Sequence, residues 1–243
     1  VQRPSPRNLA RLKRSVFGSW HGKHAVAGTF QNSALRGTNL ALQEIDIPDS
    51  IRQDSQNPAA EALIDQANGA IEAFMLRDHE VIENFVTCDF SLADHALQWI
   101  LENHLSTGQR FCELGSGFGV VTLLASLAGM EAIGIEIEQV LVDECIDLSD
   151  RLAIDAEFYC GSFIPRNSLE GIEFDRDIKN VSTEEGDVYR EVGLSMSDFD
   201  LFFAFPWPGE HVFFEQVFDE WAAVGSLLLT YRGRDGMHLI RKV

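Results

Sequence analysis

Long hydrophobic runs are missing from this 243-residue chain. No stretch of about 18 uninterrupted apolar residues occurs, which excludes an ordinary membrane-spanning helix. The N-terminal stretch also lacks the apolar core of a secretory signal, so a soluble, cytoplasmic protein with no membrane partner is expected. Cysteine is sparse: Cys88, Cys112, Cys145 and Cys160 are widely spaced, with no C-x-x-C pair and no histidine at ligand spacing. That pattern argues against both a zinc site and a disulfide framework, and buried, reduced thiols are expected instead. His21 and His24 have a spacing found in some metal sites, but no acid or cysteine lies near them in sequence, and no metal is expected there.

Positive charge is scarce as well, with 19 Lys and Arg against 38 Asp and Glu. Acids in turn are absent from the first 42 residues, where Arg3, Arg7, Arg11, Lys13, Arg14, Lys23 and Arg36 make a segment of +7. The remaining 201 residues hold 12 bases and 38 acids, a net charge of −26. A body so acidic repels phosphate backbones, which disfavours nucleic acid as a partner. The basic segment reads as an arm, either flexible or docked on the acidic body, and its composition also resembles a targeting peptide. Residues 1–56 are assigned to this extension and 57–243 to one main domain.

What is present is a 45% apolar chain with two kinds of periodicity. Residues 57–75 carry apolar side chains at helical spacing, with Asn57 as cap and Pro58 at the first helical position. Residues 91–105 repeat the pattern behind Ser91 as cap, with Asp94 as its capping-box partner. From residue 110 short apolar strands alternate with helices: RFCEL, GVVTLLASLAG, EAIGIEI, EQVLVDECIDLSDRL, AEFYCGSF, DLFFAF, HVFFEQVFDEWAAV and SLLLTY. Nearly continuous apolar strands separated by helices predict an α/β fold: a doubly wound, mostly parallel sheet preceded by accessory helices. MHLIRKV at the end is expected to add an edge strand. Residues 164–199, dense in Asp and Glu, are too long for an ordinary loop and are expected to form a short helix or a flap near a ligand.

The stretch CELGSGFGV between the first strand and its helix carries the chemistry. Gly115, Gly117 and Gly119 let backbone approach a ligand closely. A dinucleotide site reads G-x-G-x-x-G, and here Val120 stands where its third small residue belongs, which weakens a pyrophosphate reading and with it an NAD-dependent oxidoreductase. Glu113 places a carboxylate beside the turn, where it repels phosphate and accepts hydrogen bonds from an ammonium group. Glu136 ends the second strand, 21 residues beyond Gly115, where an acid can hold both hydroxyls of a ribose. A cofactor with a ribose, an amine and no phosphate is S-adenosylmethionine.

Residues 85–231 resemble the class I S-adenosylmethionine-dependent methyltransferases, CELGSGFG matching the first motif of that family and IGIEIE the second. The resemblance implies a Rossmann-like fold and roles for single positions. Gly115, Ser116 and Gly117 would contact the methionine moiety, Glu136 the ribose and Ile137 the adenine face. Ser162 stands where many relatives carry an acid for the adenine amine, and Phe163 would pack on the ring. Asp89 and Phe90, in FVTCDF, match a segment that covers the methionine end.

The acceptor is less legible. After DLFFAF the chain reads FPWPGEH, with Phe205 where base- and glutamine-modifying relatives carry an asparagine. The tRNA 7-methylguanosine enzymes have F-P-D-P-W-P followed by basic residues, whereas this chain lacks the Asp-Pro and continues with Gly209 and Glu210. Glu210 and His211 are the nearest candidate bases, or else caps of the following helix. Trp207 either walls the acceptor pocket and attracts a cationic methyl by its ring face or serves packing, and Tyr231 is a lip residue. Transfer of a methyl group to a small molecule or a protein side chain is the expected activity. A non-catalytic S-adenosylmethionine-binding module or partner subunit is the alternative.

Overall fold

The computed structural model describes residues 41–53, 57–77, 86–166, 181–182 and 184–243. They belong to one compact unit, Leu40–Val243. The basic arm as far as residue 40, His21 and His24, and positions 167–180 and 183 of the acidic stretch lie outside the described residues.

Among the described residues seven strands build one sheet: β1 (Leu42–Ile45), β2 (Arg110–Leu114), β3 (Glu131–Glu136), β4 (Glu157–Cys160), β5 (Leu201–Ala204), β6 (Leu227–Tyr231) and β7 (Met237–Lys242). Their order is β1-β7-β6-β5-β2-β3-β4. Strands β2 to β6 pair in parallel, while β7 is antiparallel to both β6 and β1. The helices are α1 (Pro58–Leu76), α2 (Phe90–Glu102), α3 (Val120–Leu127), α4 (Gln139–Leu152), α5 (Val188–Val192) and α6 (His211–Trp221).

Successive strand residues point to opposite faces, and the two cores follow that alternation. Phe111, Leu201, Phe203, Leu227 and Leu229 face a layer that includes Leu63 of α1, Leu97 of α2, Leu123 of α3 and Leu148 of α4. Cys112, Leu114, Phe202, Ala204 and Leu228 face the other way, toward Val188 of α5 and Phe214 and Phe218 of α6. Both faces are covered, so the strands are apolar throughout and read as short runs in the sequence.

Three expectations need correction. MHLIRKV does form β7, but β1 pairs outside it, from Leu42 opposite Lys242 to Ile45 opposite Leu239, so β1 is the edge. Residues 42–45, read as part of the arm, therefore belong to the sheet. So short a strand shows no period, and its partner lies at the far end of the chain. The helix expected from Ser91 starts at Phe90, because Asp89 caps it by accepting from the Leu92 N–H at 3.0 Å, and Asp94 is buried rather than part of a capping box. All four cysteines are free thiols, with Cys112 and Cys145 buried but Cys88 and Cys160 only partly so. At α1 the expectation holds: Asn57 accepts from the Ala59 N–H and Pro58 opens the helix.

Among the described residues no helix is long and apolar enough to cross a membrane.

Candidate functional site

The carboxyl ends of β2, β3 and β5 meet at one edge of the sheet. The strand order reverses at β2, and open α/β sheets bind ligands in the crevice such a reversal leaves. From Leu114 to Val120 the chain turns through Gly115, Gly117 and Gly119, with φ of 79°, 54° and 67°. The first and third glycines are needed for different reasons. A Cβ on Gly115 would meet no atom within 4 Å, so the space over it is open, whereas a Cβ on Gly119 would fall on the Phe158 ring. Phe158 lies there because it sits opposite Gly134 in the β3–β4 register, and Gly134 has no side chain to lift the ring away.

The turn consumes its own donors. The N–H groups of Gly115 and Ser116 both donate to the Ile135 carbonyl at 2.9 Å, that of Gly119 to the Ser116 carbonyl at 2.7 Å, and that of Gly117 to Glu136 Oε2 at 2.8 Å. A phosphate cradle needs such N–H groups aimed at the ligand. These four are aimed elsewhere.

Glu113 is buried under the turn, where its Oε2 accepts from the N–H of Thr122 at 2.8 Å and from the Thr122 hydroxyl. Thr122 is the third residue of α3, so the carboxylate sits in the first turn of that helix, on the side of the dipole that favours an anion. Burial nonetheless outweighs the two hydrogen bonds from Thr122 and, with the nearby charge of Glu136, pushes the Glu113 pKa up to about 8. Glu136 is buried too, and its burial raises its pKa against three backbone hydrogen bonds. Besides Gly117, Ile137 and Glu138 donate their N–H groups to its Oε1, at 2.8 and 3.1 Å. The carboxylate ties the glycine turn to the end of β3, and its oxygens keep lone pairs for a further donor.

Around this pair the structure gathers several of the residues expected from sequence. Ile137 leaves β3 with 45% of its surface exposed, an uncovered apolar side chain beside Glu136. The Gly161 N–H donates to the Glu136 carbonyl at 2.9 Å and brings Ser162 to the same edge, where its hydroxyl accepts from the Ile164 N–H. Phe118, inside the turn, packs edge-on against Phe74 of α1 with centroids 5.2 Å apart, so α1 supports the turn from behind. Phe163 departs from expectation: it is buried, stacked on Phe214 at 5.3 Å and edge-on to Phe213. Its ring belongs to the core under α6 and is not offered to a ligand.

Beside the turn lies a recess lined by Val86, Thr87, Cys88, Phe90, Phe203 and Phe205, with Glu113 and the glycine turn on its inner side. Phe90 is thus brought to the site, and Asp89 stands next to it at the lip, its carboxylate engaged in capping α2. Tyr231 packs on Phe205 with centroids 5.0 Å apart, and its pKa is raised by burial and then by the charge of Asp89. Val86, Thr87 and Cys88 belong to the FVTCDF segment whose resemblance pointed to the methionine end, although only Asp89 and Phe90 were singled out in it. Phe203 was passed over, and its signal was that Phe203 and Phe205 end an apolar strand on alternate positions.

Trp207, Glu210 and His211 are not brought to the recess. Trp207 is half-buried between β5 and α6. Glu210 is buried at the position before α6 and its side chain makes no cap there. His211 is the first residue of α6; burial lowers its pKa, as do the charges of Arg232 and His238, against Glu215. These neighbours place it toward the β6–β7 side. Among the described residues no group of three or more His, Cys, Asp or Glu side chains is arranged to hold a metal ion.

No protein-family model matches the chain, and no curated protein sequence does. Solved structures resemble it in fold. An RNA methyltransferase from Salinibacter ruber, in complex with S-adenosylhomocysteine, is 16% identical with a TM-score of 0.39, the match covering 60% of this chain and 88% of that one. A hypothetical protein from Thermus thermophilus is 16% identical with a TM-score of 0.45 over 68% and 92%. An O-methyltransferase from Bacillus cereus, also with S-adenosylhomocysteine, is 13% identical with a TM-score of 0.40 over 74% and 69%. Likenesses at this level leave the chemistry of the site to the chain's own residues.

Proposed function

We propose that this chain, whose doubly wound sheet has the Rossmann-like α/β fold of the class I methyltransferases, binds S-adenosylmethionine at the glycine turn. Transfer of the methyl group to a small molecule or a protein side chain follows from that reading. The observation that carries it is Glu113: a carboxylate occupies the first turn of α3, where a dinucleotide fold would seat a phosphate.

The residues suit the cofactor. A cationic amine over Gly115 finds open space and, below it, a buried carboxyl group that a neighbouring positive charge would relieve. Glu136 has lone pairs left for ribose hydroxyls, and Ile137 an uncovered apolar surface for the adenine. Ser162 completes that end of the site. When bound, the cofactor supplies an activated methyl group on a sulfonium, a good leaving group. The protein's part is then alignment of the acceptor and exclusion of water, which the aromatic walls of the recess serve. Trp207, Glu210 and His211 lie outside that recess, and no step is assigned to them.

Unfolding midpoints measured with S-adenosylmethionine, S-adenosylhomocysteine or NAD at equal concentration test the cofactor. A ligand at about 100 times its Kd adds roughly 2.7 kcal/mol, and the two sulfur nucleosides alone are expected to stabilise. Stabilisation by NAD alone overturns the reading. Glu136→Ala is expected to weaken S-adenosylmethionine about ten- to a hundredfold through loss of charge-assisted hydrogen bonds and loosening of the turn. Unchanged affinity in a folded variant would remove Glu136 from the ribose site.

A non-catalytic binding module is the second reading, since the described residues lining the recess include Glu113 and the glycine turn but no histidine, lysine or arginine. Turnover with acceptors separates the two.

A further inference from the structure

We infer that Arg77 is a positioning residue of the glycine turn: it locks the turn between α1 and α4 and so presets the site for its ligand. That the ligand is S-adenosylmethionine rests on the reading above.

The turn carries glycine at 115, 117 and 119, all with positive φ, and glycine leaves a backbone freer than any other residue does. Its position has to be fixed from outside. Gly117, the central glycine, is gripped at both of its polar groups. Its N–H donates to Glu136 Oε2, and its carbonyl accepts from the buried Cys145 thiol of α4 across 3.1 Å. The next residue, Phe118, is 2% exposed and lines the recess, and Phe74 of α1 meets its ring edge-on.

Arg77 joins these two supports. It caps the C-terminal end of α1, with its guanidinium carbon over the Phe74 ring, 5.4 Å from the centroid. Its Nη2 donates to Glu144 Oε1 at 2.7 Å, and Glu144 directly precedes Cys145 on α4. The contacts therefore close a circuit: Gly117 to Cys145, Glu144 to Arg77, Arg77 to Phe74, Phe74 to Phe118, and Phe118 back to Gly117 along the chain. An ion pair open to water would add little, but the Glu144 side chain is only 15% exposed and the guanidinium also rests on a ring. A staple between two helices would need the ion pair alone; Phe74 and Phe118 carry its effect to the turn. A turn already held in place does not have to be ordered by the ligand, and affinity gains by that difference.

Arg77→Ala is expected to raise the Kd for S-adenosylhomocysteine, measured by calorimetry, about three- to tenfold. Hydrogen exchange of the Gly117 amide in the free protein should quicken by a similar factor. Arg77→Lys, which keeps a cation for the ring and for Glu144, should recover part of both. Arg110→Ala removes an ion pair with Glu131 at the amino end of β2, away from the turn, and should leave both as in the wild type. If Arg77→Ala does not fold, Glu144→Gln breaks the same ion pair with little change of volume. A lowered unfolding midpoint with Kd and Gly117 exchange unchanged would make Arg77 a staple of α1 and overturn the inference, as would movement of one readout without the other. If the wild type does not bind S-adenosylhomocysteine, the cofactor reading falls, and exchange at Gly117 alone decides whether Arg77 sets the turn.

Discussion

Glu113→Gln is expected to make the free protein more stable and its cofactor binding weaker. The pKa of Glu113 is about 8 in the folded state against 4.5 for the ordinary side chain, burial being the main cause. A carboxyl group whose folded pKa is raised binds its proton more tightly in the native state than in the unfolded one. Its native protonation stabilises fully below the unfolded pKa, and that stability is lost as pH rises, until it levels off above the folded value. Glutamine keeps an oxygen for Thr122 and does not ionise. The variant should therefore match the wild type near pH 4.5, diverge upward from there, and stop diverging above about pH 8. At neutral pH the difference is about 2–5 kcal/mol, or roughly 5–15 °C in midpoint for a domain of this size. S-adenosylmethionine should bind about ten- to a hundredfold more weakly, because the amine loses a charged partner. Unfolding midpoints of both proteins from pH 4.5 to 9, with and without ligand, check the result. Parallel curves for variant and wild type would mean that Glu113 is not strained in the native protein.

Gly119→Val is expected to cost about 2–5 kcal/mol of stability. The backbone there has φ of 67°, which strains a β-branched residue by roughly 1–2 kcal/mol. The new side chain would also collide with the Phe158 ring and press on Cys145 Sγ, an overpacking worth about 1–3 kcal/mol. Denaturant unfolding measures the loss. Combining Gly119→Val with Phe158→Ala should recover the part due to collision and leave the part due to φ. Gly115→Ala makes the contrast: its Cβ points into open space, so stability falls only by the φ term while ligand binding suffers. A Gly119→Val protein as stable as the wild type would show that Phe158 can move aside at no cost.

Much of the fold was legible because it rests on short-range pattern. RFCEL, EAIGIEI, DLFFAF and SLLLTY are apolar at consecutive positions, as strands covered on both faces must be, and each became a strand within a residue or two of its expected limits. The N-terminal cap of α1 was legible for the same reason, since Asn57 and Pro58 act on their immediate neighbours. Glu113, the glycines and Glu136 were legible because strand, turn and strand fix their spacing. The caps of α2 were misread because Asp89, Ser91 and Asp94 all have side chains able to cap, and the choice depended on where Phe90 is drawn into the core.

The sequence by itself determined the alternation of strands and helices, the turn that only glycine allows, and two acids at the carboxyl ends of the first two parallel strands. Each of these is set by steric limits and periodicities spanning a few residues. Only the tertiary structure decided which distant side chains meet. Val86–Cys88 line one recess with Phe203 and Phe205, the Phe163 ring turns to Phe214 instead of a ligand, and Phe158 lies across Gly134 to make Gly119 obligatory. The same holds for β1, which leaves the N-terminal stretch to pair with the end of the chain. Such contacts arise because the sheet must cover both faces and pair its last strand, and no local pattern records the partner chosen.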